Sequence, residues 1–273
     1  MIRMKYGFIG VGNMGGAILR GLLNAGALNP EDVMVAGRNP ERSAEQAQDF
    51  GVKAAVSRAA LTASCDVIFV GVEPGTFPEI LPEIAETFTQ DKLLISMAAG
   101  ITLDRIEETL GTDAKLIRIM PNTPAGVGEI MVSVSRNGNV SDAEAQSIVN
   151  LLSSIGKAGE VPEELIHAVI GVSGSSPAYT YMYIQGLAEA GEKAGMSASD
   201  ARMFAAQAVL GAAKLVLSAD RDLEEMIDSV CTPGGTTCEA VNFLRAHGFR
   251  EIVRDGAGAA IRKSEAMSGG EKD

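Results

Sequence analysis

Apolar residues come in short blocks over the first half of the chain and in long stripes over the second. Residues 6–10, 33–37, 52–55, 67–72, 93–97 and 116–120 are runs dominated by Val, Ile, Leu, Phe, Met and Ala, the make-up of strands covered on both faces. Helix-like stretches such as 16–25, 78–88 and 103–110 separate them. That alternation predicts an α/β fold, a Rossmann-type mostly parallel sheet with helices on both faces. A further strand is expected at 131–135, then a helix over 143–155 capped by Ser141 or Asp142 and stopped by Gly156. Past Val161-Pro162 the strand pattern ends. Residues 177–194, 201–217, 223–230, 236–246 and 250–267 read as helices. The chain therefore divides into a sheet domain over residues 1–161 and an all-helical C-terminal domain over 162–273, with a polar, disordered tail expected from Ser268.

One of these helices constrains the assembly. Residues 203–217 are apolar nearly all round, with Gly211 in the middle. Such a helix needs burial on most sides, and a domain of about 110 residues has little interior to offer. Helices of a second copy would supply the cover, so a homodimer at least is expected. Gln207 and Lys214 interrupt the run, which falls short of a membrane span.

Composition narrows the partners. The 273 residues are 46% hydrophobic and 21% charged, with a formal net charge of −12. That is ordinary for a globular protein and argues against nucleic acid or an anionic membrane as partner. The three cysteines, Cys65, Cys231 and Cys238, are too scattered for a disulfide framework, which suits a reducing compartment. The strand pattern begins just after Lys5, so no leader is expected, and the cytoplasm is the expected location.

The first strand runs into Gly10-Val11-Gly12-Asn13-Met14-Gly15, a G-x-G-x-x-G between strand and helix. Gly10 is expected to make the tight turn, Gly12 to let a pyrophosphate approach the backbone, and Gly15 to let the helix pack on the strand. A purely structural glycine turn would read the same way. The second strand ends in Gly37-Arg38-Asn39, where a fold preferring NAD carries an acidic residue for the ribose hydroxyls. A guanidinium beside an amide suits a 2′-phosphate and points to NADP; a solvated arginine is the competing reading. Three more loops, at Glu73-Pro74, Ala98-Ala99-Gly100 and Pro121-Asn122-Thr123-Pro124, follow strands and lie where ligands sit in open α/β sheets.

In the second half, Cys231-Thr232-Pro233-Gly234-Gly235-Thr236-Thr237 precedes a helix. Free N–H groups and a partial positive charge at a helix N-terminus, approached over glycine, suit a small anion. A Pro-Gly turn with a threonine cap would account for the same residues without a ligand. The two histidines, His167 and His247, form no ligand-spaced cluster, so no metal is expected.

Five segments together resemble the pyrroline-5-carboxylate reductase family: Phe8-Ile9-Gly10-Val11-Gly12-Asn13-Met14, Ala98-Ala99-Gly100-Ile101, Met120-Pro121-Asn122-Thr123-Pro124-Ala125, Gly171-Val172-Ser173-Gly174-Ser175-Ser176-Pro177-Ala178-Tyr179, and Val230 through Thr237. The likeness covers nearly the whole chain in order. It implies an oxidoreductase acting on a C=N bond, which reduces the cyclic imine 1-pyrroline-5-carboxylate to L-proline in the last step of proline biosynthesis. The hydride would come from NADPH, with NADH as the second candidate. Hydride transfer of this kind requires neither a protein nucleophile nor a metal.

The resemblance also implies site residues. Cofactor contacts would come from Phe8, Ile9, Gly10, Val11, Gly12, Asn13, Met14, Gly15, Arg38, Asn39, Arg58, Val72, Glu73, Pro74, Ala98, Ala99, Asn122, Ser175 and Pro177, with Ser175 as a helix cap. The substrate would meet Glu163, Thr232, Gly234, Gly235, Thr236 and Thr237. Its carboxylate would rest on the N–H groups of Gly235, Thr236 and Thr237, and the Thr237 hydroxyl would lie against the ring nitrogen as the catalytic group. Family members often build rings of dimers. Three positions depart from the family pattern: Glu73 for a lysine, Arg58 for an asparagine at the adenosine ribose, and Ser229 for an asparagine at the cofactor's edge. Glu73 would repel a phosphate, whereas Arg58 near Arg38 would favour one. A β-hydroxyacid dehydrogenase-like enzyme is the nearest rival, but residues 174–186 lack the lysine it would use, and the next is Lys193. Two further rivals are an imine reductase for another small carboxylate and a non-catalytic dinucleotide-sensing homologue.

Overall fold

The strands predicted from the apolar blocks all join one eight-stranded sheet in the computed structural model, which describes residues 4–268; the 52–55 block, expected to be covered on both faces, is instead a short exposed edge strand. β1 (Tyr6–Ile9), β2 (Val33–Ala36), β3 (Lys53–Ala54), β4 (Val67–Val70), β5 (Leu93–Ser96) and β6 (Lys115–Met120) are parallel. β7 (Ile130–Arg136) runs antiparallel to β6, and β8 (Gly156–Glu160) parallel to β7. The order is β3-β2-β1-β4-β5-β6-β7-β8, so the winding reverses between β1 and β4. The sequence pattern does not reveal β8. Gly156-Lys157-Ala158-Gly159-Glu160 has no apolar alternation because this edge strand is covered on neither face by a full core layer.

Six helices flank the strands: α1 (Asn13–Asn24), α2 (Pro40–Phe50), α3 (Arg58–Ser64), α4 (Phe77–Ala85), α5 (Leu103–Leu110) and α6 (Asp142–Ser153). Successive strand residues face opposite sides, and each side has its own core. Phe8, Val35, Phe69, Ile95, Ile117 and Val134 pack with Ile18, Leu22 and Ile148. Ile9, Ile68, Val70, Leu94 and Leu116 pack with Leu61, Ile80, Ile84 and Ile106. α6 starts at the expected place: the Ser141 hydroxyl accepts from the Glu144 N–H, and the Glu144 carboxylate accepts from the Ser141 N–H, a capping box.

After β8 the chain forms a short 3₁₀ turn at Glu163–Leu165, a one-turn helix α7 (Ile166–Val169) and a π-helical turn at Ile170–Gly174. α8 (Ser176–Lys193), α9 (Ala198–Ser218), α10 (Leu223–Val230), α11 (Thr236–Ala246) and α12 (Phe249–Ser268) follow, so the helical reading of this half holds among the described residues. By contact density the chain forms two compact units, residues up to 174 together with those from 261, and residues 175–260. In the second unit, Glu224 ties three helices together, accepting from Arg245 at 2.6 Å and Arg250 at 3.3 Å. Beyond Ser268 the expected polar tail lies outside the described residues.

One expectation about the apolar helix changes and one holds. It is longer than the apolar run: Ala198–Ser218 spans 21 residues and contains an 18-residue stretch with a mean hydropathy of 1.2, so by length and composition it could cross a membrane. Backbone hydrogen bonding carries the helix through the polar Ser199 to Arg202, which the apolar run excluded. As expected, the chain itself does not bury it: Phe204 is 63% and Leu217 71% exposed. Only the small faces of Ala201 and Ala205 are covered.

Candidate active site

Each unit carries a ligand-ready feature, and each is built on a helix N-terminus. In the first unit, Gly10 follows β1 with φ +85°, a conformation closed to residues with a Cβ. A Cβ at Gly15 would lie 2.3 Å from the Gly10 carbonyl oxygen, so only glycine allows α1 to come this close to the turn. At Gly12, the N-cap of α1, a Cβ would meet nothing within 4 Å. That open space lies over the first N–H groups of α1, which no side chain caps. The space belongs to a cleft of about 870 Å³ lined by Gly10 to Gly12, Gly37 to Ser43, Gln46 and Gly71 to Glu73. It lies at the reversal of winding beyond the carboxyl ends of β1 and β4, where such folds bind dinucleotides.

Arg38 and Arg42 both line this cleft, and neither guanidinium has an ion-pair partner among the described residues. Arg42 escaped the sequence reading, although it follows Arg38 by one helical turn's spacing. The Asn39 carboxamide oxygen is committed to capping α2, accepting from the N–H groups of Glu41 at 2.8 Å and Arg42 at 3.2 Å. This leaves its NH₂ for a ligand. Val72 and Glu73 line the cleft too.

Other expected cofactor residues are placed differently. The side chains of Phe8 and Ile9 are sealed in the two cores, so only their backbone is available. Arg58 is absent from the cleft lining: its Nη1 donates to Glu83 at 2.7 Å and its side chain is only 17% exposed. Arg38 lines the cleft, whereas the Arg58 guanidinium is committed to Glu83. The carboxylate on α4 attracts it, a partner that sequence spacing does not disclose. Ala98 is buried and Ala99 exposed in the loop after β5. Asn122 holds that end of the sheet, accepting from the Met131 N–H at 2.9 Å and donating to the Ser173 carbonyl at 3.3 Å. Ser175 stands at the N-cap of α8, ahead of Ser176 and Pro177, but its side chain makes no capping bond. Its backbone is already helical because the π-turn runs into α8, and a capping side chain needs an extended backbone to fold back from.

Glu163 is also engaged within the first unit. Its Oε1 accepts from Arg118 Nη1 at 2.8 Å and from the Leu103 N–H at 3.0 Å. The helix start it serves is that of α5, rather than its own.

In the second unit, Thr232-Pro233-Gly234-Gly235 forms a tight turn between α10 and α11. Gly234 has φ +75°, and the Gly235 N–H donates to the Thr232 carbonyl at 2.9 Å. Pro then Gly at the central positions is the arrangement of a type II turn. The expectation that Gly235 offers its N–H to a carboxylate is thus corrected, because closing the turn consumes that donor. Gly235 instead acts as the uncapped N-cap of α11. The N–H groups of Thr236, Thr237 and Cys238 then open the helix with no hydrogen-bond partner among the described residues. The hydroxyls of Thr232 and Thr237 are likewise without one. The turn therefore presents a cluster of donors and no fixed acceptor, which is chemistry for an anion.

Comparison with known proteins identifies the combination. Residues 163–267 match the family model described as pyrroline-5-carboxylate reductase dimerisation, and residues 5–100 match that described as NADP oxidoreductase coenzyme F420-dependent. The chain is 43% identical over 264 residues to pyrroline-5-carboxylate reductase of Escherichia coli (strain K12), covering 97% of this chain and 98% of that one. The chain belongs to the pyrroline-5-carboxylate reductase family. Identity to pyrroline-5-carboxylate reductase 3 of Xenopus laevis is 35%, over 97% of each chain. Among solved structures, the pyrroline-5-carboxylate reductase of Coxiella burnetii superposes with a TM-score of 0.90 at 28% identity, covering 97% of this chain and 98% of that one. The Plasmodium falciparum pyrroline carboxylate reductase with NADP bound gives 0.86 at 29% identity, over 98% and 99%. The dimerisation match covers α9 from end to end, which gives its exposed apolar face a physical reason.

Proposed function

We propose that this chain reduces 1-pyrroline-5-carboxylate to L-proline with NADPH. The observation that carries the reading is the uncapped start of α11, in a chain whose family acts on a carboxylate-bearing imine. Bound NADPH supplies a hydride to the imine carbon, and a proton reaches the nitrogen, so the C=N bond becomes CH–NH. The chain's own work is binding and orientation. The N–H groups of Thr236 and Thr237 and the Thr232 hydroxyl hold the carboxylate. The Thr237 hydroxyl holds the ring nitrogen, favouring the geometry in which the imine carbon faces its donor. Gly10 to Gly15 and the start of α1 take the pyrophosphate, and the open space at Gly12 fits it. Arg38, joined by the Asn39 amide, takes the 2′-phosphate, while Glu73 in the same cleft works against the phosphates.

The same reading places the nucleotide domain at residues 1–161 and the substrate and dimerisation domain at 162–273, supported by a dimerisation match that begins at residue 163. A homodimer through α9 is the minimal assembly, with rings of dimers as its extension. The free state of all three cysteines suits the cytoplasm, and the charge of −12 leaves nucleic acid and anionic lipid out of the partners. The test is direct. NADPH oxidation that depends on 1-pyrroline-5-carboxylate and yields proline supports the proposal. Absence of proline from a folded, NADPH-binding protein refutes it.

A further inference from the structure

β6 carries a guanidinium where the fold calls for an aliphatic side chain. Arg118 is 1% exposed in the middle of Lys-Leu-Ile-Arg-Ile-Met, between apolar neighbours on a central strand. It alternates with Ile117 and Ile119, so it faces the side of the sheet that Leu116 and Leu94 occupy further down. Its registered neighbours on that side are Ser96 on β5 and Ser135 on β7, both buried. Its one side-chain hydrogen bond among the described residues is Nη1 to Glu163; Nε and Nη2 are buried without partners. A buried ion pair of this kind is weak evidence for stability, since well-packed apolar residues often do as well. Its position suggests what it secures instead.

The same Glu163 oxygen that holds Arg118 accepts from the N–H of Leu103, the first residue of α5. One carboxylate oxygen thus joins β6, the end of the β5–α5 loop (residues 97–102) and the segment of residues 161–174. Two further bonds fasten that segment to neighbouring strand ends. Ser135 Oγ donates to the Val161 carbonyl at 2.8 Å, and Asn122 donates to the Ser173 carbonyl at 3.3 Å. The segment ends in the π-helical turn at 170–174, a geometry frequent at functional sites. The β5–α5 loop holds Ala98 and Ala99, and the segment ends immediately before Ser175; the resemblance assigns all three to the cofactor.

We propose that Arg118 is a positioning residue for hydride transfer. Through Glu163 it holds the β5–α5 loop and the 161–174 segment in one arrangement, and it touches neither substrate nor cofactor. The inference rests on the reductase reading above for its kinetic consequence, but its structural half stands apart from it. Glu163 is then occupied as a strut rather than as a substrate ligand.

The test uses the full-length protein with Arg118→Met/Glu163→Leu, Arg118→Lys and Glu163→Gln. The double apolar variant is expected to keep its melting temperature, because it leaves no buried charge behind. In the ligand-free protein, amide exchange at Leu103 and across residues 163–174 is expected to speed up about tenfold or more as the latch is lost. In turnover, kcat is expected to fall about tenfold to a hundredfold, the scale of a small misplacement of reacting groups, while KM for the imine changes far less. Arg118→Lys, which keeps a charge within reach of Glu163, should restore most of kcat; Glu163→Gln should not. Unchanged exchange at Leu103 in the double variant overturns the proposal, as does unchanged kcat in that variant. A large rise in KM with kcat unchanged in Glu163→Gln overturns it in favour of direct substrate contact. If the double variant does not fold, the exchange and kcat split of the two single variants decide by the same criteria. Parent protein that makes no proline refutes the reductase reading alone, and the exchange experiment still judges the latch.

Discussion

Replacing Thr237 by valine removes one hydroxyl and keeps the β-branched shape at the second position of α11. The Thr237 hydroxyl has no partner within the described chain, and the N-cap of this helix is Gly235, so no native hydrogen bond is lost. Unfolding stability should therefore stay within about 0.5 kcal/mol of the parent, as for surface changes away from special features. Catalysis should not. A hydrogen bond to the ring nitrogen is worth about 1–3 kcal/mol, which converts to a loss of about one to two decades in kcat/KM. Thr237→Ser, which retains the hydroxyl, should recover most of the loss. The assay is steady-state NADPH oxidation with the imine varied, beside NADPH binding by fluorescence, which should not change in either variant. Thr237→Val with kcat/KM within about twofold of the parent would falsify the assigned role.

Other consequences are independent of that hydroxyl. Arg38→Ala should raise KM for NADPH about tenfold or more with little effect on NADH, because it removes a charge-assisted contact specific to the 2′-phosphate. Arg58→Met should leave the NADPH/NADH ratio unchanged and lower stability, since its guanidinium is spent on Glu83; a shifted ratio would restore Arg58 to the cofactor site. Phe204→Glu, on the exposed face of α9, should convert the dimer to monomers in sedimentation; an unaltered dimer would mean that α9 is not the interface. For pH, burial alone would raise the Glu144 carboxyl, but bonds from Lys115 and Ser141 outweigh it and bring it from 4.5 to about 2. A lowered folded value stabilises above the unfolded pKa, and that contribution drains away as pH falls from about 4.5 towards 2. With the side chain about a third exposed, solvent screening reduces the effect to roughly 1–2 kcal/mol. Glu144→Gln should accordingly flatten the loss of urea stability between about pH 5 and pH 3; identical slopes for variant and parent would contradict the pairing.

The sheet core was legible because strands covered on both faces must be apolar throughout, and β1, β2, β4, β5 and β6 are. The glycine turn was legible for a steric reason, since φ +85° at Gly10 and the 2.3 Å approach at Gly15 exclude any Cβ. The helices of the second half were legible too, down to the limits of α10 and α11, because Asp222 and the Pro-Gly turn punctuate the chain there. Edge strand β8 was not, because strand pairing there depends on backbone bonds to β7 rather than on side-chain pattern.

Partner choice among polar groups is where sequence reasoning ran out. Arg58 and Arg38 look alike on the line of residues, yet one meets Glu83 and the other lines an open cleft. The partners of Glu163 were not legible either: its Oε1 joins a strand arginine 45 residues away to the start of α5, 60 residues away. The Gly235 N–H looked free, but the turn closes on it. Local propensity and hydrophobic period are properties of neighbours in sequence, so the chain alone determined its elements, its dinucleotide turn and its anion-ready helix start. Which charges meet depends on distances across the fold, and only the tertiary structure decides those.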